Sequence, residues 1–191
     1  MKIQCNTLWS SLCFVIIASF LASCTSTLSY NEAMQKNVSN IDDNEKLEDA
    51  RFLLEAASYN TLATRMAEAA IKSGYSASVV RMAKENLEAH QEMDKELSKL
   101  ARKEDIVLPA GMNSEHERML AELTSTDRRE FDRTYLRLLQ EVSAQDSQKF
   151  STMATEAQSE DIRAFAARKL DLFESHRRSI ETVDAELLRT Y

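Results

Sequence analysis

Three side chains in this sequence have the types and placement to meet at a metal ion. His90 lies three residues after Leu87 and seven before Leu97, and His176 lies three after Phe173 and four before Ile180. At helical spacing both imidazoles share a face with apolar residues, so both are expected to point inward, from different helices. An imidazole nitrogen is a common transition-metal ligand, and helical bundles build metal sites from side chains on facing helices. Asp94, one turn beyond His90, completes the candidate set of His90, His176 and Asp94. The competing expectation is a pair of satisfied core histidines, with His90 bonded to Asp94 along its own helix and His176 bonded to a neighbouring acceptor. Neither histidine has a Glu three residues before it, because Leu87 and Phe173 stand there, so the Glu-x-x-His element of di-iron bundles is missing. His116, between Glu115 and Glu117, is expected on the solvent side.

A different chemistry is written at the N-terminus. Residues 1–23 carry Lys2 as their only charge, followed by an apolar run from Leu12 to Leu21. The run is short of the roughly 20 apolar residues of a membrane-spanning helix and reads as a secretory signal. It ends in Leu21-Ala22-Ser23-Cys24, which looks like a bacterial lipobox. Small residues there let a peptidase draw in an extended backbone, and the Cys24 thiol is the group that receives the lipid. One acyl chain holds a protein marginally and several hold it stably, so a fully acylated Cys24 is expected to anchor the chain to membrane. The expected location is the bacterial cell envelope, at the outer membrane and facing the periplasm. Cys5 and Cys13 fall inside the removed leader, which leaves the mature domain without a free thiol and excludes thiol catalysis and Cys-based zinc binding.

The elements that must position these residues follow from composition. Two Gly and one Pro in 191 residues are too few for the turns and bulges of a sheet protein, so the chain is expected to be all-α. Lys and Arg number 24 against 31 Asp and Glu, a net charge of −7 with no basic tract, which argues against nucleic acid as a partner. From Thr25 to about Asp43 the chain is rich in Ser, Thr and Asn and reads as a flexible tether, so the expected division is leader 1–23, lipidated Cys and tether 24–43, and helical domain 44–191. Four long helices are expected, at about Glu45 to Lys72, Ser78 to Glu104, Asp127 to Glu156, and from Ser159 into the C-terminal region. A short extra helix, opened by Ser114 with Glu117, falls between the second and third. Gly74 is expected to take the left-handed position that ends the first long helix. Apolar stripes such as Val79, Ala83, Leu87 and Leu97, or Tyr135, Leu139, Val142 and Phe150, can close one core. No phosphate loop, no Ser-His-Asp spacing and no His pair at four-residue spacing is present, so no enzyme activity is expected. The expected partners are the membrane, through the lipid, and an envelope protein or a second copy of the chain.

Several short motifs in order add a resemblance. Asp49-Ala50-Arg51-Phe52 with Glu55-Ala56-Ala57-Ser58, His90 with Glu96-Leu97 and Leu100-Ala101, and Ile106-Val107-Leu108-Pro109-Ala110 open it. Glu130-Phe131-Asp132-Arg133, Tyr135-Leu136, Asp161-Ile162-Arg163-Ala164-Phe165-Ala166-Ala167 and His176 continue it. Together they resemble the exported bacterial family called domain of unknown function 4142, from Asp49 to about Ile180. The resemblance implies a ferritin-like four-helix bundle whose members carry inward Glu and His residues. His90 and His176 match family histidines, whereas Ala63 stands where members have Glu, Ala89 where they have Asp, and Ser143 where they have His. The expected function is a lipid-anchored envelope bundle that acts by binding or structure, without a cofactor. The alternative is a metal-binding or redox bundle serving envelope stress protection, in which a divalent transition metal sits on His90 and His176 with Asp94, Asp146 or water completing its shell.

Overall fold

A computed structural model describes residues 28–190. Among these residues there are six helices and no strands: α1 (Tyr30–Asn40), α2 (Asn44–Ser73), α3 (Ala77–Glu104), α4 (Ser114–Ser125), α5 (Phe131–Glu156) and α6 (Glu160–Thr190). The expected leader and the lipid-bearing Cys24 lie outside the described residues.

The short links Gly74-Tyr75-Ser76 and Ala157-Gln158-Ser159 turn α2 back into α3 and α5 back into α6, giving two antiparallel hairpins. The hairpins face each other, with α2 against α5 and α3 against α6, so the four long helices close a ring around one apolar interior. At one end, Ser159 Oγ donates to Glu104 at 2.7 Å and Lys103 pairs with Asp161, which places the end of α3 beside the start of α6. At the other end the start of α5 meets the link between α2 and α3. The connection from α3 to α5 therefore travels the length of the molecule, carrying α4 against α2 and α5 on the way.

Burial follows the sequence stripes. Leu53, Leu54, Leu62 and Met66 of α2, Val79, Ala83 and Leu97 of α3, Leu139, Val142 and Phe150 of α5, and Ile162, Phe165 and Ile180 of α6 are all buried. Aromatic rings form a continuous run through this core: Phe52 to Phe150 at 4.9 Å between centroids, Phe150 to Phe173 at 5.0 Å, and Phe173 to Tyr59 at 5.3 Å. Tyr59 then passes the run to His90 at 5.4 Å.

Two buried aspartates fasten the hairpins to each other. Asp49, near the start of α2, accepts the backbone N–H groups of Gln158 at 3.0 Å and Ser159 at 2.8 Å in the opposite link. Asp132, near the start of α5, accepts those of Tyr75 at 2.9 Å and Ser76 at 2.7 Å. The spacing from Asp49 to Gly74 equals that from Asp132 to Ala157, so the two hairpins repeat one capping design. Each carboxylate satisfies backbone donors that a helix start would otherwise leave bare.

Four expectations change. Residues 30–40, expected within a flexible tether, form α1, because Ser29 and Glu32 make a reciprocal capping box and Ala33 and Asn37 bury against the bundle. Asn37 Nδ2 donates to the Val107 carbonyl at 2.8 Å while the Val107 N–H donates to Asn37 Oδ1 at 2.9 Å, so α1 is docked by both halves of one amide. Gly74 is extended, with φ −60° and ψ 138°, and the left-handed residue is Asp105 at the end of α3. Glycine is required at 74 for room, since a Cβ there would lie 2.6 Å from the Ala70 carbonyl oxygen and 3.2 Å from Val80 Cγ2. The cap of α4 is Asn113, whose Oδ1 accepts the His116 N–H at 2.8 Å, with Ser114 already helical. α5 begins at Phe131 without a side-chain cap, and Asp127 contributes only its carbonyl, to the Glu130 N–H.

Removing one reciprocal cap strands two backbone donors in a buried setting, so Asp132→Ala is expected to lower unfolding free energy by about 2–4 kcal/mol. The exposed Asp94→Ala control should stay within about 0.5 kcal/mol of the parent. Urea unfolding of the two variants decides it, and equal midpoints would remove the caps from any structural role.

Candidate functional site

The structure brings two of the three candidate metal ligands together and leaves the third outside. His90 on α3 is 0% exposed and His176 on α6 is 2% exposed, with ring centroids 5.1 Å apart. Asp94 lies on the exposed side of α3, where one further turn has carried it off the inward face. The partner of His90 is Asn60 of α2, whose Oδ1 faces His90 Nδ1 at 2.9 Å. Since an amide oxygen only accepts, His90 carries its proton on Nδ1 and leaves Nε2 as a bare lone pair. His176 Nδ1 stands 3.5 Å from the Tyr59 hydroxyl. The Nε2 atoms of both histidines are buried without a hydrogen-bond partner.

The surroundings are short of carboxylate. Tyr59, Phe173 and Asn60 wall the pair, and Ser143 of α5 sits by the Tyr59 hydroxyl. Asp146, one turn beyond Ser143, is buried but engaged elsewhere: Lys149 Nζ lies 3.1 Å from its Oδ1, and His116 Nε2 lies 3.9 Å from its Oδ2. Among the described residues no group of three or more His, Cys, Asp and Glu side chains is placed to hold a metal ion.

His116 corrects a further expectation. It is 2% exposed, and its Nδ1 lies 2.6 Å from the Ser58 hydroxyl, which also accepts the Asn113 N–H at 2.9 Å. His116 shares helical spacing with the buried Met119 and Leu123, and that spacing is the signal by which it could have been found beside two glutamates. It belongs to a chain of ionisable groups that sequence reasoning missed. Tyr30 Oη donates to Glu55 at 2.7 Å, Lys149 donates to Glu55 at 2.8 Å, and Lys149 pairs with Asp146. This chain ties α1, α2, α4 and α5 together from residues far apart in sequence.

Burial sets the protonation states. Desolvation pushes His176 down to about 4 and His90 well below the usual imidazole range, with the neighbouring His176 and Lys169 adding to the effect at His90. His116 is lowered too, by desolvation and then by Lys149. Asp146 is raised to about 6 by desolvation, against the pull of Lys149. Tyr59 is raised by burial, and Tyr135, whose hydroxyl receives Asn86 Nδ2 at 3.3 Å, is raised to about 12. At neutral pH the core therefore holds neutral imidazoles and neutral phenols.

Residues 33–183 match the family described as Domain of unknown function (DUF4142). The chain belongs to that family. No curated protein and no solved structure matches it. The match begins at Ala33, the fully buried residue of α1, so the family unit includes the helix that replaces the expected tether. In this DUF4142 chain the residues at the centre do not fit a dinuclear carboxylate centre, because two neutral imidazoles with bare Nε2 atoms are the whole set of unengaged nitrogen donors there. No helix among the described residues is long and apolar enough to cross a membrane.

Each lowered histidine binds its proton more tightly when unfolded, so its contribution is complete above pH 6.5 and is lost as pH falls toward its folded value. For His176 the fall from 6.5 to about 4 corresponds to about 3 kcal/mol. Asp146 acts in the opposite sense, gaining stability as pH drops from about 6 to 3.8, and one aspartate opposes three histidines. Melting temperature is thus expected to fall between pH 6.5 and 4. His176→Phe should flatten that slope and Asp146→Asn should steepen it, and differential scanning calorimetry across the range reads both.

Proposed function

We propose that this chain is a ferritin-like helical bundle, lipid-anchored through Cys24 in the bacterial cell envelope, that acts as a binding or structural module. The ferritin-like assignment is supported by connectivity: two antiparallel hairpins joined by a single long return connection. The anchor is supported by the lipobox-like Leu21-Ala22-Ser23-Cys24 after a short apolar run. The observation that carries the non-catalytic reading is the setting of the His pair, an amide, a phenol and a phenyl ring with Asp94 turned to solvent. Neutral imidazoles in neutral walls are what a packed core needs, and they provide no anionic shell for a metal.

A second reading rests on one specific observation, the bare Nε2 atoms of His90 and His176. On that reading the two imidazoles hold a single transition-metal ion, which when bound supplies Lewis-acid or one-electron chemistry for an envelope stress role.

Elemental analysis of the untagged protein for iron, manganese, zinc and copper separates the readings. The binding-module reading predicts substoichiometric metal and a melting temperature unmoved by chelation. Near-stoichiometric metal that disappears in His90→Ala would establish the second reading in its place. For the anchor, Cys24→Ser is expected to abolish fatty-acid labelling and membrane fractionation, and a variant still found with membranes would refute lipid attachment at this residue.

A further inference from the structure

Among the described residues, three buried side-chain polar atoms at the centre lack a hydrogen-bond partner, His90 Nε2, His176 Nε2 and Ser143 Oγ, while the buried Asp146 carboxylate has its partner in the Lys149 ammonium. All three belong to residues gathered around one phenol. The Tyr59 hydroxyl is 3.5 Å from His176 Nδ1, its ring is 5.4 Å from that of His90, and Ser143 and Asp146 act on it from α5. Orphaned polar atoms are rare in native interiors, so three beside one phenol signal a guest that bonds to them.

The same place has a way in. A groove of about 300 Å³ runs between α5 and α6, lined by Ser143, Ala144, Ser147, Leu170, Phe173 and Arg177. Ser143 is buried, yet it forms part of that lining, and Phe173, also in the lining, packs against Tyr59 at 5.3 Å. The groove therefore ends at two residues that touch the phenol. At its mouth Arg177 and Glu174, the two charged residues of the lining, pair with each other, which leaves the passage over Ser143 without a net charge of its own.

Charge and donor pattern choose the guest. A cation meets the Lys149 ammonium already seated 3.1 Å from Asp146 and the positive field of Lys169 at His90. An anion meets the carboxylates of Asp146 and Glu55. The His90 Nε2 lone pair needs a donor, while the hydroxyls of Ser143 and Tyr59 both give and receive. A small neutral molecule that donates and accepts in turn satisfies all of them, and water does so with the two to four partners that a buried water requires.

We infer that the α5–α6 groove opens over Ser143 onto an internal water site at Tyr59, and that a short chain of ordered waters there joins solvent to the His90–His176 pair. The chain gives two otherwise sealed imidazoles a route for proton exchange. It goes beyond the binding-module reading, depending neither on the lipid anchor nor on any metal.

The test uses the mature full chain in two measurements. A high-resolution crystal structure should contain ordered solvent within hydrogen-bond distance of Ser143 Oγ and of at least one of the two Nε2 atoms. Exchange of the imidazole N–H protons with water, read by nitrogen-15 NMR, should slow at least tenfold when Ala144→Leu blocks the exposed rim of the groove. Ser143→Val, which removes the hydroxyl at the floor, should slow it as well, but Ala144→Leu leaves the core intact and decides the matter if the buried variant unfolds. An anhydrous Tyr59 site, a metal ion on the two Nε2 atoms, or unchanged exchange in Ala144→Leu would overturn the inference.

Discussion

The arrangement of this protein depends on the reciprocal grip of two buried aspartates. Asp49 closes the link of the second hairpin and Asp132 closes the link of the first, so neither hairpin can slide along the other without stranding a pair of backbone N–H groups. Sliding by one helical turn is the natural freedom of packed apolar stripes, because ridges and grooves repeat at that interval. The aspartates remove it. Once the register between hairpins is fixed, the heights of side chains on all four long helices follow, including the level at which His90 meets Asn60 within one hairpin and His176 across the ring.

That register explains how polar groups are tolerated at the centre. His90 Nδ1 donates to Asn60 Oδ1, Asn86 donates to the Tyr135 hydroxyl, and the aromatic run from Phe52 to His176 lines the centre with ring edges and faces. Charge is kept in a separate layer. Glu55, Lys149, Asp146 and His116 form their network between α2, α5 and the peripheral helices α1 and α4, with Lys149 partly open to water. Desolvation holds the inner histidines neutral, and ion pairing keeps the charges of the outer layer compensated near the surface. The family match spans both layers, so the peripheral helices are as much a part of the domain as the ring they cover.

The long helices were legible because each carries an apolar stripe at helical period, and periodicity is a property of one segment read alone. α1 hid behind a Ser-, Thr- and Asn-rich composition, although Ser29 and Glu32 stand at capping-box spacing and Ala33 and Asn37 share a face. The inward direction of His90 and His176 was legible for the same reason as the stripes. The bonding partner of His90 was not: Asn60 lies on another helix, and nothing in the spacing around His90 points to it in preference to Asp94, which shares its helix. Gly74 misled because glycine serves two purposes at helix ends, left-handed backbone and close approach, and only the second applies here. The reciprocal caps, the burial of His116 and the Tyr59 cluster all rest on contacts between distant segments and became visible only with the fold.

The His90–His176 pair, two neutral imidazoles fixed by the register of the hairpins, is where the packing of this core is most directly tested. Nitrogen-15 NMR of the histidine side chains, followed from pH 7 to pH 5, measures this directly. Both rings are predicted to stay neutral throughout, with the His90 proton on Nδ1 and directed at Asn60. Titration of either ring near 6.5, or a His90 proton on Nε2, would contradict the account.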